Sequence, residues 1–487
     1  MADRSPLLTI DPSSDAALHR QVYDAIRSAI LTGQLKPGDR LPPTRVLAEQ
    51  LSLARMTVAE AYDQLQAEGY LQARQGSGTY VASNLPGQAP ALLGDRSGGD
   101  EPPRLSAWGR HVTRPEYRAL RARGEVSTFR YDFRPHRIAQ DHFPWDAWRA
   151  AMDRAFARER GALLSYPPPA GHSGLVEEIA AHVRKHRAVS CAPDQIVVVN
   201  GSQQGLNLLA QLLLDGGDRA AVEDPGYPPA RLVLEARGVR VTRVPVDEDG
   251  IVVDRLAAGP HRLVHVTPSH QDPTGATMSL GRRLALLDVA ASAGCLIVED
   301  DYDSEFRYEG RPVESLQGLD SGGRVVYAGT FSKSVLPGLR IGFLILPPIL
   351  VRPFVTAKSL WDGGVPLLEQ AALGEFMRSG EYERHIRRVR RVYRERRDRL
   401  VAALDDVFEG RAAVGERHGG LNVLVSLRVP LSEVEVARRG SEAGIGLRPA
   451  SPYYARPPRL PTFLLGFGAV PPQDIRDGIR LLRSVVD

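Results

Sequence analysis

Cysteine is almost absent from this chain. Its 487 residues hold two, Cys191 and Cys295, about a hundred positions apart. That excludes a disulfide framework and a cysteine-built zinc cluster, and it fits a reducing compartment. Long apolar runs are missing as well. The longest, Ile341 to Val351, is too short to span a bilayer and is broken by Pro347-Pro348. No membrane partner is therefore expected. Met1 to Ile10 lacks the basic-then-apolar pattern of a signal peptide, which makes the cytoplasm the expected location. A strong excess of one charge is also lacking. The net charge of +4 neither requires nor excludes nucleic acid. No internal repeat is visible. The length is too great for one ordinary core, so two or three domains are expected.

What is present falls into two parts. Residues 1–82 read as a compact helical module that ends in a hairpin. Leu18, Val22, Ile26 and Ile30 recur every four residues and mark a helix with one apolar face. Lys36-Pro37-Gly38-Asp39 is a turn. Thr44 is placed to cap a short helix from Arg45 to Leu51. A second helix is expected from Met56 to Glu68. The break between them, Ser52 to Arg55, has the length of a helix-turn-helix connection. Leu71 to Val81 alternates around Gly76-Ser77-Gly78 and reads as a hairpin. Residues 83–103, rich in Gly, Pro, Ala and Asp, read as a linker.

From 104 to 487, helical stretches alternate with short β-branched runs. The runs are Gln195–Asn200, Ala220–Glu223, Arg240–Val244, Leu263–Thr267, Cys295–Glu299, Val325–Tyr327 and Ile341–Leu346. Such alternation implies an α/β domain, with a mainly parallel sheet covered by helices on both faces. Residues 366–487 add a small α+β subdomain.

The motifs of the first part are Leu41-Pro42-Pro43-Thr44-Arg45, then Ala54-Arg55-Met56-Thr57-Val58, then Gln75-Gly76-Ser77-Gly78-Thr79-Tyr80-Val81. Together they resemble the winged helix of the GntR family of bacterial repressors, over nearly all of residues 18–82. The resemblance implies a DNA-binding domain for double-stranded operator DNA. Arg55 and Thr57 would enter the major groove at the start of the second helix. Arg45 would reach a phosphate or a base edge. Gly76 and Gly78 would let the wing backbone approach the minor groove. The family usually has Ser where Ala54 stands, so one phosphate contact is lost. Residues 1–82 carry about as many acids as bases, and a three-helix protein-interaction module is the alternative.

Lys333 dominates the second part. It lies in Thr330-Phe331-Ser332-Lys333-Ser334-Val335-Leu336-Pro337-Gly338-Leu339-Arg340. Its ε-amine can form a Schiff base with the aldehyde of pyridoxal 5'-phosphate (PLP). Thr330, Ser332 and Arg340 can bind the phosphate. Gly201-Ser202-Gln203-Gln204 follows an apolar strand and opens an apolar helix, so the N–H groups of Ser202 and Gln203 suit a phosphate too.

These segments line up in an order that resembles fold type I aminotransferases, and the resemblance implies further roles. Tyr227, in Glu223-Asp224-Pro225-Gly226-Tyr227-Pro228, would stack on the pyridine ring. Asp300 would face the pyridine nitrogen, with Asp301 as fallback, and Tyr302 the phenolic oxygen. The acids of this strand end are otherwise a metal candidate, a reading that Lys333 disfavours. Asp272, in His270-Gln271-Asp272-Pro273-Thr274-Gly275, holds the place of an asparagine that donates to the phenolic oxygen. An ionised aspartate accepts instead. Tyr166 would reach the phosphate of the partner subunit, and Arg448 an amino-acid carboxylate. Arg384 to Leu400 holds nine arginines, read either as a solvated helix or as a second DNA-contacting surface.

A winged helix followed by a fold type I domain resembles the MocR subfamily of bacterial transcriptional regulators, over almost the whole chain. The resemblance implies a PLP-binding homodimer. Its expected function is transcriptional regulation, by sensing PLP or an amino compound through an aldimine at Lys333. The regulated process would be vitamin B6, amino-acid or amine metabolism. A catalytically active aminotransferase with a fused winged helix is the alternative, as is a regulator that no longer binds PLP.

Overall fold

The computed structural model describes residues 10–11, 14, 16–83, 85, 104–117, 128–256, 259–309 and 314–487. Most of the segment 83–103 lies outside the described residues. The chain divides into two compact units, Met1–Arg104 and Leu105–Asp487.

The first unit has three helices, α1 (Leu18–Leu31), α2 (Thr44–Leu51) and α3 (Arg55–Ala67), then strands β1 (Leu71–Arg74) and β2 (Gly78–Val81). The strands pair antiparallel, with Leu71 opposite Val81 and Arg74 opposite Gly78. Val22, Ile26, Ile30, Leu47, Val58 and Leu65 form its core. Each such side chain contributes on the order of 1.5–3 kcal/mol when fully buried. Tyr62 closes the core, donating its hydroxyl to the Pro42 carbonyl at 2.9 Å. Thr44 is not the cap expected of it. It lies inside α2, whose N-cap is Pro43, with no side-chain capping bond.

The second unit is built on an eight-stranded sheet. Its strands are β3 (Ile196–Val199), β4 (Arg219–Asp224), β5 (Arg240–Asp247), β6 (Gly250–Ile251), β7 (Leu263–Val266), β8 (Leu296–Asp301), β9 (Val325–Thr330) and β10 (Gly342–Ile345). The spatial order is β3-β10-β9-β8-β7-β4-β5-β6. The central pairs are parallel, and β10 runs against both of its neighbours. The strand interiors are continuous apolar runs because both faces are covered. One face packs on the cluster around Leu206, Leu209 and Phe354, and another cluster gathers Ile179, Phe376 and Tyr393. Four helices matter below: α4 (Ser173–Arg187), α5 (Ser202–Leu213), α6 (Pro228–Ala236) and α7 (Glu381–Phe408). A three-stranded antiparallel sheet, Ala412–Val414, Asn422–Leu427 and Thr462–Gly466, forms the C-terminal α+β part.

Candidate functional site

The parallel strands β4, β7, β8 and β9 end on one side of the sheet, where α/β folds place their ligands. A cavity of about 1400 Å³ opens there. At one end it forms an anion cradle. Gly201 has φ +77°, and a Cβ at this position would lie 2.5 Å from the Arg340 guanidinium. Arg340 is therefore laid across the start of α5, whose first N–H groups have no partners within the helix. Ser202 and Gln203 occupy that first turn and line the cavity. Gly342 pairs with Thr330, and a Cβ at 342 would meet the Ser202 nitrogen at 2.9 Å. This close approach brings the end of β9 beside α5. The Thr330 hydroxyl donates to Ser332 Oγ at 3.1 Å and accepts from the Ser332 N–H at 3.2 Å. One cation, one helix N-terminus and two hydroxyls thus converge.

The other end holds the lysine and the carboxylates. Lys333 follows β9 by three residues and is half-buried in the cavity wall. Asp300 is buried near the end of β8. Its Oδ2 lies 3.3 Å from His265 Nε2, while Oδ1 has no hydrogen-bond partner. A buried carboxylate oxygen left bare is costly unless a ligand completes it, and a protonated ring nitrogen has the chemistry to do so. Asp301 is corrected as the fallback. Successive strand residues face opposite ways, and Asp301 accepts from Arg187 at 2.7 Å and Tyr327 at 2.6 Å on the other side. Although burial opposes its charge, Arg187 holds its pKa below the usual carboxylate range. Tyr227 is the N-cap residue of α6 and lines the cavity. The Tyr302 hydroxyl is 3.0 Å from His270 Nδ1.

Asp272 is the departure that the structure resolves furthest. It is 2% exposed, and its Oδ1 has no hydrogen-bond partner. Burial, then the neighbouring charge of Asp303, pushes its pKa up to about 7, while His270 and Lys333 pull the other way. Near neutral pH both forms are populated. The protonated form carries an O–H and donates as asparagine would. The expectation of a pure acceptor applies only above that pH.

Arg448 also lines the cavity. Tyr166 does not line it; its side chain stands 96% exposed. Sequence reasoning missed several residues here. Arg134, His136 and Arg137 line the cavity from a loop far upstream, and Tyr453 from far downstream. The cation-dense run 134–137 was one available signal. His265, the lone polar residue in the apolar strand Leu263–Val266, was another.

In the first unit, Arg55 is the first residue of α3 and is exposed, and Thr57 is half-buried two residues on, within the first turn. Met56 between them is 69% exposed, a surface residue that the sequence did not single out. The Arg45 side chain is 81% exposed and sits 3.2 Å from Glu49. Gly76 and Gly78 have φ of +74° and +122°, which side chains rarely adopt. Arg40, also missed, packs against Gly78 and bridges to Tyr80.

The arginine-rich segment belongs to α7, and much of it is internal. Arg396 is buried, donating to the Gly468 carbonyl and to Asp141 at 2.8 Å. Arg388 donates to the His142 carbonyl, Arg390 to the Glu305 carbonyl and Arg397 to the Arg417 carbonyl. Arg387 and Arg391 remain exposed.

Comparison with known proteins agrees with this geometry. Residues 18–81 match the gntR family of bacterial regulatory proteins, and residues 137–472 match aminotransferase class I and II. The chain is 37% identical over 478 residues to the probable rhizopine catabolism regulatory protein MocR of Rhizobium meliloti, covering 98% of this chain and 95% of that one. It is 35% identical over 486 residues to the HTH-type transcriptional regulator TauR of Rhodobacter capsulatus, covering 97% and 98%. Among solved structures it resembles the kynurenine aminotransferase of Pyrococcus horikoshii, with a TM-score of 0.71 and 27% identity, over 81% of this chain and 98% of that one. No helix among the described residues is long and apolar enough to cross a membrane. The cradle at Gly201 and Arg340, the bare oxygen of Asp300 and the nearby Lys333 fit PLP, the cofactor of this fold. The chain belongs to the MocR-type regulators of the gntR family, in which a helix-turn-helix domain precedes an aminotransferase-like PLP domain.

Proposed function

We propose that this chain is a homodimeric, cytoplasmic regulator that couples ligand capture at Lys333 to operator binding. Residues 1–82 are the DNA-binding domain, 83–103 the linker and 104–487 the PLP-binding domain. The observation that carries the reading is the convergence of Lys333, Asp300 and the Arg340 cradle in one cavity, in a chain that also carries a winged helix.

PLP supplies an aldehyde that a lysine amine or an amino compound can capture, and a ring that withdraws electrons. The residues act around it. Ser202, Gln203, Thr330, Ser332 and Arg340 hold the phosphate. Tyr227 would stack on the ring and Asp300 would keep its nitrogen protonated. Tyr302 and Asp272 serve the phenolic oxygen, Asp272 donating when protonated. Arg448 binds an effector carboxylate. Tyr166, which projects from its own subunit, serves the partner subunit's phosphate. In the other domain Arg55 and Thr57 read the major groove, Arg45 contacts a phosphate and Gly76 and Gly78 shape the wing. Ligand capture changes the relation between the two DNA-binding domains and so the binding of paired half-sites.

The effector is PLP itself or an amino compound. One relative, 34% identical over 402 residues, is the pyridoxine biosynthesis regulator PdxR of Corynebacterium glutamicum. The presence of Arg448 in the cavity favours an amino acid. The same observation supports a second reading, a working aminotransferase with a fused winged helix. One experiment separates them: PLP and then candidate amines are titrated into the full chain while visible absorbance and operator binding are followed together. A regulator changes both without turnover. Sustained transamination between an amino acid and a keto acid, with operator binding indifferent to either, establishes the enzyme.

A further inference from the structure

Helix α4 presents His182 and His186 four residues apart, on one face. Glu383, in the first turn of α7, stands between them. Its Oε1 is 3.3 Å from His182 Nδ1 and 2.9 Å from His186 Nε2. All three ligand-capable atoms lie within 4.8 Å of one another. We propose that His182, His186 and Glu383 form a binding site for one divalent transition-metal ion of the zinc, nickel or cobalt class. This proposal is independent of the PLP reading.

The contact between His186 and Glu383 is the informative one. The two atoms are 2.9 Å apart, and although His186 Nε2 is buried the contact lacks the alignment of an ordinary hydrogen bond. Donor atoms gathered this closely meet the first requirement for ligands of a single ion. The His182 separation of 3.3 Å matches the roughly 3.3 Å that a tetrahedral ion with ~2.0–2.1 Å bonds imposes, and the His186 separation of 2.9 Å would have to widen. An imidazole pair with one carboxylate and no thiolate suits a borderline divalent ion, and three protein ligands leave a position for water.

The surroundings support the same assignment. A metal-bound histidine commonly turns its other nitrogen toward a carboxylate. Glu305 lies 4.0 Å from His182 Nε2 and is itself held by the Tyr382 hydroxyl at 3.2 Å. The Tyr382 ring also packs edge-on against His182, with centroids 5.2 Å apart. The ion would tie α4 to the start of α7. Arg187, the next residue of α4, holds Asp301 and so the back of the strand that carries Asp300.

The test uses the full chain without an affinity tag, stripped with a chelator and titrated with Zn²⁺ against a chromophoric competitor. One ion per chain at micromolar affinity or tighter is expected, with a rise in melting temperature. Co²⁺ should give visible bands of low coordination number. The double variant His182→Gln/His186→Gln should lose this ion, and Glu383→Gln should weaken it by about tenfold or more. Unchanged metal-free melting and unchanged PLP absorbance show that the variants are folded. His186→Gln alone, at a half-exposed position, is the fallback if the double variant does not fold. Equal zinc uptake by wild type and a folded histidine variant overturns the proposal. So does wild-type protein that takes up no ion.

Discussion

The two units display their chemistry in opposite ways. On the winged helix, Arg45 and Arg55 stand in solvent. In the larger unit, Asp272, Asp300 and Asp301 lie below the surface. Exposed cations act through a field that salt screens over about 8–10 Å. Buried carboxylates act through their protonation, which burial and neighbours set. The first unit should therefore respond to ionic strength and the second to pH, and a substitution on the DNA-contacting face should leave the cofactor spectrum alone.

The largest expected effect is at Lys333. Lys333→Ala should abolish the visible absorbance of covalently held cofactor while leaving the helix content of the chain unchanged by circular dichroism. A retained chromophore would move the capture to another amine. Next comes Arg55→Ala. Loss of a major-groove contact costs about 1–3 kcal/mol, or roughly five- to 150-fold in operator affinity. Cofactor absorbance should not change. Arg45→Ala should instead weaken binding to all sequences alike and reduce the salt slope by about one. A change of cofactor spectrum in either variant would break the separation between the units.

Asp272→Asn sharpens the other side. With a pKa of about 7, Asp272 is mostly a donor at pH 6 and mostly a carboxylate at pH 8. A negative charge beside the phenolic oxygen favours the protonated chromophore, so wild type should hold its proton to higher pH. The variant, a neutral donor throughout, should show its colour change lower by about one unit, the shift that ~1.4 kcal/mol produces. A pH titration of absorbance measures it, and coincident curves would remove Asp272 from that role. The smallest effect is expected on α7. Arg387→Ala/Arg391→Ala should leave operator affinity and its salt slope unchanged, because the helix uses many of its arginines to tie loops internally. A shallower slope would restore the second DNA surface.

Seven of the eight strands of the large sheet were legible as short, mostly apolar runs between turn residues, the two-residue β6 was not, and the hairpin was legible because glycines punctuate it. Local patterns carry that information. The choice between Asp300 and Asp301 was not local. Adjacent strand residues are alike in composition and differ only in the face they take, which Arg187, 114 residues away, reveals. The titration of Asp272 depends on burial by segments remote in sequence. Arginine density in α7 suggested a surface, because no spacing rule shows that Arg396 reaches Gly468 and Asp141. Tyr166 matched a motif position, yet it is exposed and does not line the cavity.

The central claim is that ligand capture by Lys333 governs DNA binding. Operator binding by fluorescence anisotropy, at fixed salt and with PLP added stepwise to wild type and Lys333→Ala, tests it most directly. The account expects the wild-type affinity to change in step with the appearance of the chromophore, and the variant's affinity to stay constant. Identical operator affinities at every PLP concentration, in wild type as in the variant, would contradict it.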